Sequence, residues 1–239
     1  MIFYYVRHGD PVYDPDSLTP LGHEQAKALS KRFALYGLDE IYASTSTRAQ
    51  MTAQPTCEVL GKEMTLLDWT NEGHAWHDFC VPKEDGKYCW SFQNAKYVEK
   101  FNSPEIYSLG YQWHEHPDFK DLNFGAGVER INRETDAFFL QLGYKHDRVN
   151  RRYKIIKPNK KRVALFAHQG FGVAFLSSLL DIPYPSFCTH FDFGHSSVTV
   201  IAFGDGEEEF AYPKVFQLSN DSHLYKEGKL TGYNNSIDI

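Results

Sequence analysis

The sequence predicts an α/β fold: a three-layer sandwich whose mostly parallel central sheet carries helices on both faces, with an aromatic-rich cap inserted. Three observations predict it. Short continuous apolar runs, Ile-Phe-Tyr-Tyr-Val at 2–6 and "RVALFA" at 162–167, suit strands covered on both faces. Helical segments with start and stop signals alternate with these runs, the rhythm of a parallel sheet. The stretch from about 74 to 126 breaks that rhythm yet holds 12 aromatics in 53 residues, so it is expected to fold and pack.

The elements follow in order. After the first strand, Thr19 caps a helix that has Pro20 in its first turn and stops at Gly37. "DEIYAST" at 39–45 reads as the next strand, a helix runs from about Thr47 to Leu60 and stops at Gly61, and "EMTLLDW" at 63–69 reads as a third strand. Past the insertion a helix is expected from about Val128 to Leu142. The strand at 162–167 leads through His168 into the helix "GFGVAFLSSLLD", which ends before Pro183, and "HSSVTVIAFG" at 195–204 reads as a later strand. At 239 residues and 42% hydrophobic composition, the chain suits one domain over 1–239 with a cap insertion at about 74–126.

Composition removes several function classes. No stretch approaches the 18 or more apolar residues of a membrane helix, and the first residues run into a strand pattern where a signal peptide would be basic and then apolar. A cytoplasmic protein with no membrane partner is the expectation. Cys57, Cys80, Cys89 and Cys188 lack paired spacing and are expected to be free thiols. The net charge of -6 hides a basic stretch between Lys145 and Arg162, where nine Lys/Arg oppose only Asp147 and leave the rest near -14. It could meet an acidic ligand or nucleic acid. Few aromatics and no binding motif accompany it, so nucleic acid is disfavoured and a solvated helix end and loop is expected. The spacing of His74, His77, His114 and His116 matches no zinc motif. They are assigned to aromatic cap packing, and no metal or cofactor is predicted.

Ligands of an open α/β sheet bind beyond the carboxyl ends of its strands. Arg7 and His8 end the first strand, Arg48 follows the second, and His168 ends a later one. If these strands are parallel neighbours, the four side chains converge, and clustered cations without a partner would repel one another and lose solvation. An anionic ligand resolves this. Arginine's planar fork suits phosphate oxygens, and Ser44, Thr45 and Ser46 at the head of the following helix add hydroxyl and amide donors. Gly9 is read as the residue that lets backbone and ligand approach closely.

"VRHGDP" at 6–11, "LTPLGHEQA" at 18–26, "STSTRAQMTA" at 44–53, "FAHQG" at 166–170 and "SNDSHL" at 219–224 resemble, in order, the histidine phosphatase superfamily in its phosphoglycerate-mutase-like branch. The resemblance implies an α/β sandwich and a phosphohistidine intermediate with no metal required. By it, His8 is the nucleophile, Arg7, Arg48 and His168 surround the phosphoryl oxygens, and Glu72 is the proton donor, with Asp68 as a substitute. A neutral imidazole can attack phosphorus if its other nitrogen holds its proton in a fixed hydrogen bond. His168 is expected to be cationic, kept so by the neighbouring phosphate. Where the acid-phosphatase and phytase branch carries an aspartate after the second histidine, this chain has Gln169, which disfavours phytase-like chemistry. Gln169 joins Ser44 and Ser46 as a substrate-binding group.

His23, Thr19 and Gly22 are read as packing, cap and close-contact residues, and His223 as structural. Ser196 or Ser197 is a further donor near the site. The activity implied is that of a metal-independent phosphoric monoester hydrolase: a phosphomonoester phosphatase acting on a small phosphorylated substrate. Two alternatives share its residues, a phosphoglycerate-type phosphomutase and a catalytically silent phospho-ligand binding protein. The basic stretch and the cap together suggest a substrate with an apolar or sugar-like body and a second negative charge. No feature selects an oligomeric state.

Overall fold

The structure, a computed structural model, describes residues 1–204 and 208–229. The chain opens with β1 (Ile2–Arg7) and a small hairpin, β2 (Pro11–Tyr13) and β3 (Asp16–Leu18). In α1 (Pro20–Tyr36) the Thr19 hydroxyl accepts from the Gly22 amide at 3.1 Å, satisfying one of the amides that a helix start leaves unpaired. Next come β4 (Glu40–Ser44), α2 (Thr47–Leu60) and β5 (Met64–Leu67). Gly61 ends α2 in the left-handed conformation at φ 61°, which a residue with a side chain adopts at a cost.

The segment that breaks the rhythm forms α3 (Glu72–Phe79), a hairpin of β6 (Cys80–Pro82) and β7 (Tyr88–Trp90), α4 (Ala95–Phe101) and α5 (Pro104–Leu109). Then follow α6 (Phe124–Gln141), β8 (Tyr144–Asp147), β9 (Arg152–Ile155), β10 (Arg162–Ala167), α7 (Gln169–Leu179) and α8 (Tyr184–Cys188). The described chain closes with β11 (Val198–Ala202), β12 (Phe210–Ala211), β13 (Lys214–Asn220) and α9 (Ser222–Lys226).

The central sheet has the order β13-β11-β1-β10-β4-β5. β1, β10, β4 and β5 run parallel, while β11 is antiparallel to β1 and β13. Alternate residues of β1 serve opposite layers, as the period of two requires. Phe3 meets Phe139 of α6 at 5.2 Å and Tyr5 meets Phe175 of α7 at 5.6 Å, whereas Tyr4 meets Phe33 of α1 at 5.4 Å. Helices therefore cover both faces, and the carboxyl ends of four neighbouring parallel strands share one edge.

The inserted segment packs through its aromatics. Phe101, Trp113, Phe119 and Phe124 are buried, with Trp113 5.0 Å from Phe124 and stacked at 5.5 Å on Tyr184 of α8. These rings join the same core as α6 and α7, each burial contributing on the order of 2 kcal/mol. The helix expected from Val128 starts at Phe124 because that ring is itself part of this cluster. The four histidines make local pairs: His74 with Asp68, His77 with Asp78, His116 with Glu105, and His114 edge-on to Trp113.

The basic stretch differs from its expectation. It is not a helix end and loop: β8 and β9 form an antiparallel hairpin that β12 extends to three strands. Tyr144 and Tyr153 are fully buried, and His146 stacks on Tyr153 at 4.0 Å. Its charges meet carboxylates from distant segments, Arg148 with Asp136, Lys154 with Glu209 and Lys161 with Glu40. All four cysteines are free thiols, and no helix among the described residues is long and apolar enough to cross a membrane.

Candidate active site

Each parallel strand delivers one part of the site. β1 ends on Arg7 and places His8 just beyond it; β10 ends one residue before His168, the N-cap of α7. β4 ends on Ser44, and the turn after it brings Ser46 to the start of α2 with Arg48 in the first turn. Beyond β5, Glu72 is the first residue of α3. Because β1, β10, β4 and β5 are neighbours, these groups meet.

His8 is buried, and its Nδ1 lies 2.7 Å from the Gly9 carbonyl oxygen. A carbonyl can only accept, so Nδ1 carries the proton and Nε2 keeps the lone pair. Arg48 Nε lies 3.3 Å from that Nε2. Burial first, and then His168 and Arg7, hold the His8 pKa well below the usual histidine value, so its ring is neutral.

His168 is fully buried, its ring 5.2 Å from that of His8. Its Nε2 lies 2.8 Å from Ser44 Oγ and 3.1 Å from Ser46 Oγ, while its Nδ1 has no hydrogen-bond partner among the described residues and lies 3.7 Å from Glu72 Oε2. Burial first, then Arg48, holds its pKa well below the ordinary value. Burial between two guanidinium groups thus favours the neutral ring here, whereas the cation is expected of the ring beside a bound phosphate.

Glu72 is tied at both oxygens. Oε2 accepts from Arg48 Nη2 at 2.9 Å and Oε1 from the Gly170 amide at 3.0 Å, in the first turn of α7. Asp68, the substitute, lies outside this cluster: it is exposed and bonded to Thr45 and His74. Arg48 also donates to Asp16 Oδ1 at 2.8 Å; burial disfavours its charge, but Asp16 and Glu72 outweigh this and raise its pKa. Arg7 donates to the Phe193 carbonyl, and its Nη2 lies 2.8 Å from His195 Nε2. Gln169 is buried beside His168, but its side-chain amide donates to Asp192. Ser196 turns to His223 at 3.0 Å.

The sequence reading passed over three groups. His195 lies 5.8 Å ring to ring from His8 and 3.4 Å from Asp10, and burial first, with Arg7 second, lowers its pKa to about 4. It arrives on the amino-terminal side of β11, which meets the carboxyl end of β1 because the two are antiparallel. Asp16 comes from the β2–β3 hairpin, whose short strands carry little pattern. Trp90, on β7, lines with Tyr13, Arg48, Glu72, Gly73 and Trp76 a cavity of about 390 Å³ that opens the site to solvent. Gly9 has a further reason beside the one expected: a Cβ there would lie 2.8 Å from the Gly22 carbonyl oxygen of α1. The glycine serves close packing of strand on helix.

His8, Glu72 and His168 offer ligand atoms within 4.8 Å of one another, so by spacing alone they could also hold a metal ion. With Arg7 and Arg48 beside them, the set contains an unprotonated imidazole nitrogen, two guanidinium groups, a second imidazole with a buried nitrogen turned inward, and a carboxyl group. Such a set can attack, bind and protonate a phosphate ester.

Known proteins share this fold and part of this sequence. The family model described as histidine phosphatase superfamily (branch 1) matches residues 3–77. A protein of Hydrogenobacter thermophilus, whose name gives phosphoserine phosphatase as its proposed activity, is 30% identical over 101 residues. That match covers 38% of this chain and 47% of the relative, so it spans about half that relative's length. Among solved structures, phosphoserine phosphatase of Entamoeba histolytica, in complex with phosphoserine, shares the fold with a TM-score of 0.58 at 18% identity, over 93% of this chain and 98% of that one. A mycobacterial glucosyl-3-phosphoglycerate phosphatase gives 0.56 at 16%, over 93% and 99%. The alpha-ribazole phosphatase of Shigella flexneri gives 0.57 at 18%, over 92% and 97%.

Proposed function

We propose that this chain, whose residues 3–77 match the histidine phosphatase superfamily (branch 1) model, is a phosphomonoester phosphatase working through a phosphohistidine on His8. The observation that carries this reading is the His8 tautomer. With its Nδ1 proton given to the Gly9 carbonyl, its Nε2 lone pair lies where Arg48, Glu72 and His168 meet. Arg7, Arg48 and His168 Nδ1 bind the non-bridging phosphoryl oxygens, and Ser44 and Ser46 hold His168 by its other nitrogen. Gln169 positions the loop at Asp192 behind them. In the first step His8 Nε2 bonds to phosphorus, the ester P–O bond breaks, and the leaving oxygen takes a proton from Glu72. In the second, Glu72 takes a proton from water, the water oxygen bonds to phosphorus, and the N–P bond breaks to restore neutral His8.

A mutase must exclude water from the phosphoenzyme, whereas a phosphatase must admit it. The mouth beside Glu72 is open, with Tyr13 67% and Trp76 43% exposed, which favours hydrolysis. Glu72 within reach of the cluster speaks against a silent binder. We take the reaction to be metal-independent, since a cation shared by His8, Glu72 and His168 would lie against the Arg48 guanidinium. The partner is a small phosphorylated molecule, the chain acts as one domain with residues 74–126 as its cap, and four free thiols fit a cytoplasmic location.

The test is to trap the intermediate with a labelled aryl phosphate. Label in an acid-labile, alkali-stable phosphohistidine, lost together with phosphate release in His8→Ala, is expected. Isomerisation of 3-phosphoglycerate outrunning phosphate release would replace the phosphatase by the mutase.

A further inference from the structure

We propose that this site selects phosphate esters whose body is a flat uncharged ring and rejects bodies carrying a second anion; the inference rests on the phosphatase reading for where the phosphoryl group sits. The cavity that leads to Glu72 has aromatic walls. Trp76 and Trp90 meet at 5.1 Å with their planes at 83°, forming a corner, and Phe92 stacks behind Trp90 at 5.6 Å to hold it. The Tyr13 ring lies on the Arg48 side, 5.4 Å from its guanidinium carbon.

The corner is built onto the catalytic turn. A Cβ on Gly170 would lie 2.3 Å from the Trp90 ring, so Trp90 rests directly on the residue whose amide holds Glu72. A leaving group that receives its proton from Glu72 therefore departs along aromatic surface. A flat ring can stack on one of these planes while meeting the edge of the other. Trp76 and Tyr13 hold large apolar faces to solvent that such a body would cover.

The charges point the same way. Arg48 is the one cation among the residues lining this cavity, and Asp16 and Glu72 already accept from it. A carboxylate on the substrate body would meet Arg48 already paired with Asp16 and Glu72, and no second cation among the residues lining the cavity. Of the basic stretch, expected to supply a second anion site, Arg148, Arg152, Lys154 and Lys161 pair elsewhere with Asp136, Asp147, Glu209 and Glu40, and none of its residues lines this cavity. Phosphoserine and 3-phosphoglycerate, which structural neighbours hold, both carry that carboxylate.

Benzylphosphonate and 3-phosphonopropionate separate the two bodies without differences in leaving-group reactivity. Their binding to the full chain is read from tryptophan fluorescence and, with 1-naphthyl phosphate as substrate, from competitive inhibition. Benzylphosphonate binding at least about tenfold tighter is expected, with the ratio falling about three- to tenfold in Trp76→Leu. Tyr13→Leu, at a still more exposed position, provides a second variant if Trp76→Leu folds poorly. Equal or tighter binding of 3-phosphonopropionate, or a ratio unchanged in both variants, overturns the proposal. If no ester is hydrolysed and no phosphohistidine is trapped, the phosphatase reading fails, while the binding ratio still decides selection.

Discussion

The Gly170 amide donates to Glu72 Oε1 at 3.0 Å while Arg48 Nη2 donates to Glu72 Oε2 at 2.9 Å. The first turn of α7, whose N-cap is His168, thus also fixes the carboxyl group proposed as the proton donor. Glu72→Gln keeps the shape and removes the proton. The variant is expected to lose about 10²- to 10⁴-fold in kcat/KM with alkyl phosphates, and far less with p-nitrophenyl phosphate, whose leaving group needs no proton. Equal losses on both substrates would show that Glu72 only holds Arg48.

His168 is neutral while the site holds no anion, and its inward nitrogen faces the place where a dianion would sit. Binding an oxyanion should therefore draw a proton onto the ring. Sulfate does not itself titrate near neutrality, so calorimetry in two buffers of different ionisation enthalpy at pH 7 reads that proton directly. Uptake approaching one proton per sulfate is expected, with affinity falling as pH rises, and both effects should vanish in His168→Asn. Binding without uptake would mean that the ring stays neutral and the arginines alone carry the charge.

The helix limits at Thr19, Gly37 and Gly61 were legible because caps are local, settled by residues within a turn of each other. The meeting of His8, Arg48 and His168 followed from parallel strand order, which alternation of strand and helix implies. What arrives against that order was hidden. His195 comes in on an antiparallel strand, and Trp90 comes from a hairpin inside a segment whose composition told of packing but not of place. The β8–β9 hairpin was hidden because each strand has only four residues, so the alternation of Tyr144 and His146 with Lys145, and of Tyr153 and Ile155 with Lys154, is too short to outweigh the charge of the stretch.

Metal independence has its own check. Dialysis against a chelator, followed by assay in chelator, should leave turnover of aryl phosphates unchanged, and added zinc should inhibit by competing for His8, Glu72 and His168. Activity lost to the chelator and restored by one metal would make that trio a metal centre.

Gly170→Ala tests the contact between cap and catalytic turn. The added methyl would meet the Trp90 ring, which Trp76 and Phe92 hold in place. Relief requires moving either that ring or the amide that binds Glu72. A stability loss of about 1–3 kcal/mol in urea unfolding is expected, together with a fall in kcat/KM. In a Trp90→Ala background the same Gly170→Ala step should cost less, since the atoms the methyl strikes are gone.

Two sets of histidines should bend the stability curve in opposite directions. Burial first lowers the pKa of both His195 and His223, each to about 4 from the ordinary histidine value of 6.5. Their contribution is present above 6.5 and is lost as pH falls through that window, at about 1.4 kcal/mol per pH unit for each. His146 is the reverse case. Burial disfavours its charge, but Asp136 and Asp181, each 2.8 Å from a ring nitrogen, raise its pKa on balance. Its contribution is full below 6.5 and is lost as pH rises through its folded value. His146→Gln should therefore destabilise the protein more at pH 6 than at pH 8.5, leaving the acid limb between pH 6.5 and 4 in place. Urea midpoints of both proteins across pH 4–8.5 measure this, and an equal loss at both ends would mean that His146 packs on Tyr153 without carrying charge.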